Sequence, residues 1–210
     1  MYIQTDGQTA HDNYKLLIGS IVPRPIAFVT SVDEAGIVNA APFSFFNIVN
    51  DDPPMVMFSC VRKAGGEMKH TPRNIAANKE FVVHIVDEDN IAAVNHTSIN
   101  APGGISELEL AGLTAVPGQA VKVPRVQECK IAMECRLVQL VELGHCDMVI
   151  GEVLGFHVED ELVHNGRIDV GKLKPVSRLA GASYAAIGRT FELDRPQYES
   201  VTANPKIEEL

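Results

Sequence analysis

Residues 59–75, SCVRKAGGEMKHTPRNI, place Ser59, Arg62, Lys63, Lys69, Thr71 and Arg73 around two glycines and run into Thr71-Pro72, a pair suited to starting a helix. Hydroxyls, cationic side chains and unpaired N–H groups at the positive end of a helix dipole are what an anion needs. The cluster is conspicuous because the chain, 210 residues long, carries a formal net charge of −9. It is not a P-loop, since GxxxxGK[ST] is absent. A solvated basic loop would have the same composition, so both readings stand on these residues alone.

A second stretch, residues 23–54, reads PRPIAFVTSVDEAGIVNAAPFSFFNIVNDDPP. A strand over 26–32 turns at Gly36 into a return limb over 37–49. Asn39, Pro42 and Ser44 interrupt that limb, and Phe43, Phe45 and Phe46 surround the interruptions. A proline inside a strand belongs at an edge or a bulge, where its missing N–H costs little. Polar groups around Asn39, Ala41 and Ser44 then face something that needs hydrogen bonds. A flat heterocycle with carbonyl and nitrogen atoms is one candidate. A β-bulge whose Asn and Ser cap local backbone is the other.

The seven histidines show neither HExxH nor any paired-ligand spacing, so no metal site is expected. His145 lies beside Gly144, at the turn between two long strand-like segments. An imidazole there can face a ligand and titrate near neutrality, or simply face solvent. GxSxG is absent, which weighs against acyl-transfer hydrolysis, and no GxGxxG dinucleotide fingerprint follows a strand. Cys60, Cys129, Cys135 and Cys146 have no CxxC pairing and read as reduced, buried thiols of a cytoplasmic protein. The negative net charge disfavours nucleic acid and anionic membrane surfaces. No apolar run approaches the roughly 20 residues of a membrane span, and the N-terminus lacks the pattern of a signal peptide.

The elements that must position these residues are mainly β. After the hairpin, DDPP at 51–54 reads as a loop and 55–61 as a fully buried strand. A short helix is expected over 72–78, a strand over 81–87, a helix over 88–96 and a loop with a short helix over 97–118. Residues 130–143, with Ile131, Met133, Cys135 and Leu137 on one face, pair with 146–160. From about 166 the tail shows little regular pattern. Seven or so strands with few helices argue for a β-barrel with helical insertions and against a doubly wound parallel sheet.

With these residues assembled, the chain resembles the flavin reductase-like family of FMN-binding split barrels, over roughly residues 15–190. The matching features are the 23–54 stretch, KHTPRNI at 69–75, ELAGL at 109–113, GH before VIGEV at 144–153, and RLAGASYA at 178–185. The similarity is greatest to flavoredoxins and the reductase components of two-component monooxygenases. It implies one domain spanning 1–210, a six-stranded Greek-key split barrel, a homodimer and one FMN per subunit near the interface. By the same resemblance, Thr30, Asn39, Ala41, Ser44 and Phe45 flank the ring and ribityl chain. Ser59, Cys60, Val61, Lys63, Lys69 and Thr71 bracket the ribityl and phosphate groups. His145 matches a family histidine close to the flavin, and Arg178 and Tyr184 match a C-terminal motif that approaches the site, from this subunit or its partner. Glu107 stands where many relatives carry a lysine, which reverses the local charge.

The resemblance favours an NAD(P)H-dependent FMN reductase, with NADH or NADPH as co-substrate and free flavin, a ferric chelate or an oxygenase as acceptor. A flavoredoxin-like carrier that holds FMN tightly, and a non-catalytic flavin-binding module, are the alternatives.

Overall fold

In the computed structural model, which describes residues 1–198, helix α1 (Ala10–Ser20) precedes strands β1 (Ala27–Val32) and β2 (Val38–Phe43). Strands β3 (Phe46–Asp51) and β4 (Pro54–Val61) follow, and helix α2 (His70–Asn78) leads to β5 (Glu80–Ile85). Helices α3 (Ile91–His96) and α4 (Glu107–Leu110) and the short strands β6 (Ala115–Val116) and β7 (Arg125–Val126) come next. The long strands β8 (Ile131–Leu143) and β9 (Cys146–Val158) complete the main sheet. Beyond them lie the ribbon β10 (Val163–His164) and β11 (Arg167–Ile168), helix α5 (Val170–Leu173), and the hairpin β12 (Val176–Arg178) and β13 (Tyr184–Ala186).

The main sheet is antiparallel, in the order β2-β1-β5-β8-β9-β4-β3. Its two edge strands, β2 and β3, are consecutive in the chain and separated by Ser44 and Phe45 alone. The sheet therefore curls on itself as a split barrel, and the segment carrying α2 crosses from β4 back to β5. The return limb expected over 37–49 is two strands, because the chain changes partner: Phe43 is paired with Ala27, and Phe46 with Phe58. Counting β2 and β3 as one bent strand recovers the six that the resemblance implies. Pro42 sits on an edge strand, which tolerates its missing N–H. The Ser59 N–H donates to the Phe45 carbonyl at 2.8 Å and ties the bend to β4.

Strand alternation sorts two apolar clusters to opposite faces. Ala27, Val29, Phe58, Phe81 and Val149 fill the barrel. Phe28, on the other face of β1, packs with Ala40, Val94, Leu108 and Val126 under α3 and α4. A Cβ added at Gly151 would stand 2.3 Å from the Phe81 ring, so a side chain there would collide with the barrel core. Polar groups in this core are paired. His84 is fully buried; its Nδ1 lies 2.9 Å from the Phe28 carbonyl, and the Val126 N–H donates to its Nε2 at 2.9 Å. Those two bonds fix the neutral ring with its proton on Nδ1, and burial holds its pKa down to about 4. Glu134 is buried on β8 and accepts N–H groups from Gln119, Ala120 and Val121 as well as the His157 ring. Burial pushes its carboxyl up, but those bonds outweigh it and hold the group below the usual range.

Other expectations are corrected in detail. β4 is half-buried: Val56, Phe58 and Cys60 point inward, while Met57 and Ser59 are partly exposed. Asp52 and Pro53 make a tight turn, and β4 itself begins at Pro54. Thr71 lies inside α2; Lys69 occupies the N-cap and supplies no side-chain cap. The tail from 166 is not patternless, since β12 pairs with β13 and Arg178 bridges to Arg24. Residues 199–210 lie outside the described part. Among the described residues no helix is long and apolar enough to cross a membrane.

Candidate functional site

Two cavities meet at a shared wall of Pro42, Phe43 and Ser98. At about 130 and 190 Å³, each falls short of the ~300 Å³ at which small-molecule pockets begin; joined, they reach it. The first cavity lies between β2, the start of α2 and the 97–101 segment, and it brings together Asn39, Ala41, Lys63, Lys69 and Thr71 from three separate parts of the sequence. Asn39 is buried and its Nδ2 donates to the Thr71 hydroxyl at 2.8 Å, which locks β2 to α2. No side chain caps α2; Pro72 has no N–H and that of Arg73 goes to the Lys69 carbonyl, so the His70 and Thr71 N–H groups are those left for an anion. Lys63 lies 3.5 Å from Glu67, and Lys69 has no ion pair among the described residues. Glu107, at the start of α4, is 5% exposed and lines the same cavity; its Oε2 accepts the Ala40 N–H at 3.2 Å.

The second cavity is walled by Arg24, Ser44, Asn95, Arg178 and Tyr184, so Arg178 and Tyr184 approach from the same chain. Both arginines are engaged by the protein. Arg24 donates to the carbonyls of Ile18, Ile21 and Leu179 at 2.8, 2.8 and 2.9 Å. Arg178 donates to the Tyr184 hydroxyl and the Gly181 carbonyl, with its guanidinium 4.5 Å from the Tyr184 ring centroid. Tyr184 in turn donates to Asn95 on α3 at 2.9 Å. These bonds fasten α1, α3 and the C-terminal hairpin around the cavity.

The remaining candidates are placed elsewhere. Thr30 is fully buried, its hydroxyl donates to the Pro124 carbonyl at 2.7 Å, and it lines neither cavity. Phe45 faces an apolar groove with Leu17, Ile21 and Met57. Ser59 and Val61 line neither cavity, and Cys60 is buried beneath them. Burial pushes the Cys60 thiol up to about 12 despite the opposing pull of Lys69, so it is inert at neutral pH. His145 is exposed at the β8–β9 turn and lines neither cavity; its carbonyl accepts the Arg62 N–H at 2.8 Å. Arg62 is not free for an anion. Its guanidinium grips Asp147, itself 1% exposed, at 2.6 Å and reaches Glu142 at 2.8 Å.

His70, Ser98 and the 97–101 segment were missed as wall residues. His70 adjoins Lys69 in KHTPRNI and was within reach of the motif. The 97–101 segment carries only loop composition, and nothing local points it at a cavity.

The family model for the flavin reductase like domain matches residues 18–171. A solved structure of nitrilotriacetate monooxygenase component B from Bacillus cereus is 50% identical, with a TM-score of 0.90, covering 92% of this chain and 98% of its own. The 2-nitrobenzoate 2-nitroreductase of Pseudomonas fluorescens is 32% identical, with a TM-score of 0.85 and coverages of 94% and 98%. An uncharacterized protein of Halalkalibacterium halodurans is 47% identical over 202 residues, which is 93% of this chain and 97% of that protein. The fold and site thus define a flavin-handling split barrel. The chain belongs to the flavin reductase-like family. Its residues fit a flat ligand with an anionic tail: lysines and an uncapped helix start at one end, and the Pro42–Phe43 wall beyond.

Proposed function

We propose that the chain is an NAD(P)H-dependent flavin reductase that binds FMN across the joined cavities, as one FMN-binding domain with its core over about 15–190. The observation that carries this is the polarity of the site, with cations at the α2 end and apolar surface at Pro42 and Phe43. Lys63, Lys69, Thr71 and the first turn of α2 hold the phosphate. Asn39, Ala41 and Ser44 orient the ring, and Arg178 and Tyr184 close its far end. Bound there, FMN would supply two-electron redox chemistry between NADH or NADPH and free flavin, a ferric chelate or a partner oxygenase. His145, held at its turn by Arg62, orients the nicotinamide. The similarity to a monooxygenase component supports an oxygenase as recipient. The exposed Ile48 and Val49 on edge strand β3, with Leu17 and Ile21 beside the apolar groove, support a homodimer. Four free thiols support a cytoplasmic setting.

The test is an absorbance spectrum of the protein supplied with FMN, before and after NADH and then NADPH without oxygen. Rapid bleaching of protein-bound flavin bands by either nucleotide is expected, and it names the donor. Bands that persist would instead make the chain a flavoredoxin-like carrier. Failure to bind FMN at all would overturn the proposal.

A further inference from the structure

Glu107 is a carboxylate inside a cavity otherwise lined by cations and neutral groups. It is 5% exposed, and one of its oxygens is occupied by the Ala40 N–H at 3.2 Å. No bond is present for the other oxygen among the described residues, so it is left to meet a ligand. That oxygen is open to the cavity rather than sealed in the core, and covering the free edge of β2 would need only a neutral acceptor such as glutamine. The negative charge is therefore the part that the fold leaves unexplained.

Resting on the proposal that this cavity takes FMN, we infer that Glu107 is a tuning residue, one that makes the site bind the oxidised cofactor more tightly than the reduced. Electrostatics fixes the orientation. A phosphate is drawn to Lys63, Lys69 and the α2 N-terminus and repelled by Glu107, so the ring lies on the Glu107 side, along Ala41 to Phe43. Oxidised FMN has a neutral ring. Uptake of two electrons and one proton leaves the ring with one negative charge. A fixed carboxylate beside it in a partly dry cavity disfavours that charge, and charge near the flavin nitrogens is one of the protein's means of setting its electronics. Reduced flavin is then bound less tightly, which suits a protein that passes it on. Both cofactor forms carry the phosphate, so the lysines' hold on that group is common to the two. At the ring the lysines attract the added charge and Glu107 opposes it, and removing the Glu107 charge alone isolates its share.

The test is the midpoint potential of bound FMN, from anaerobic dithionite titration against a reference dye, together with the dissociation constants of oxidised and reduced FMN. Glu107→Gln keeps an acceptor for Ala40 and removes the charge. It should tighten reduced FMN relative to oxidised by about tenfold, which is a rise of about 30 mV for a two-electron couple. Glu109→Gln removes the same charge from the exposed side of α4 and should leave the potential where it was. An unchanged potential in the Glu107 variant, or an equal shift in both variants, would overturn the inference. Equal tightening of both forms would also overturn it, by placing Glu107 against the phosphate. If the Glu107 variant fails to fold, the wild-type constants decide: oxidised FMN must bind more tightly than reduced. A wild-type protein that binds no FMN would instead remove the proposed function beneath it.

Discussion

On one side of the Pro42–Phe43 wall, Lys63 and Lys69 face a cavity with one weak partner between them. On the other, Arg24 and Arg178 line a cavity while their donors point back into the protein, onto carbonyls and Tyr184. Arg62, the neighbour of Lys63 in sequence, belongs with the second group, locked on buried Asp147. Arginine's rigid fork serves several fixed acceptors at once, whereas lysine offers a mobile point charge. The fold uses arginines as fasteners and leaves lysines for a ligand, so a basic residue near a site is not by itself evidence of contact with the ligand.

Substitutions can break or sharpen that contrast. Arg24→Met strands three carbonyls and unties α1 from the C-terminal hairpin. It should lower stability by roughly 3 kcal/mol, read as the urea midpoint, while FMN binding keeps its salt dependence. A variant as stable as wild type, with weakened FMN binding, would move Arg24 into the ligand group.

Buried His84 tests the fold side through pH. Its pKa is held down from 6.5 to about 4, so between those values the unfolded chain binds a proton that the folded chain refuses. Its contribution should be constant above pH 6.5 and fall by up to about 1.4 kcal/mol per pH unit as pH drops toward 4. Urea midpoints measured across that range check this, and His84→Gln should flatten the slope.

Lys69→Ala should weaken FMN binding by about 1.5–3 kcal/mol and leave thermal stability nearly unchanged. An unaltered dissociation constant would place the phosphate elsewhere. His145→Ala should slow flavin reduction by NAD(P)H about tenfold, or ~1.4 kcal/mol in the barrier, with FMN affinity unchanged. Stopped-flow absorbance reads the rate, and a large loss of bound FMN would contradict an orienting role. Lys63→Ala should cost FMN affinity less than about 1 kcal/mol, since Glu67 already shares that charge. A loss equal to that of Lys69→Ala in the same titration would make the two lysines equivalent.

The strands β1 and β5 were legible as short apolar runs between turn signals, and β8 and β9 as long segments flanking the turn at Gly144. The return limb was not, because Ser44 and Phe45 carry no local sign that the chain exchanges one partner strand for another. The cationic loop was legible by composition, yet Arg62 and Lys63 look alike in sequence and have opposite fates. Thr30 shows the converse limit. Its motif neighbours reach the cavity, but its own hydroxyl donates to the Pro124 carbonyl and lines neither cavity.

The sequence by itself determined a mainly β chain, an anion-suited loop running into a helix, and a polar break in an edge strand, because propensity, turn chemistry and charge are local properties. Only the tertiary structure decided which cations remain free, that Asn39 grips Thr71, and that Glu107 shares a cavity with Lys69. Hydrogen-bond partners distant in sequence settle those points: an arginine that finds three carbonyls is lost to a ligand, and a lysine that finds none is kept for one.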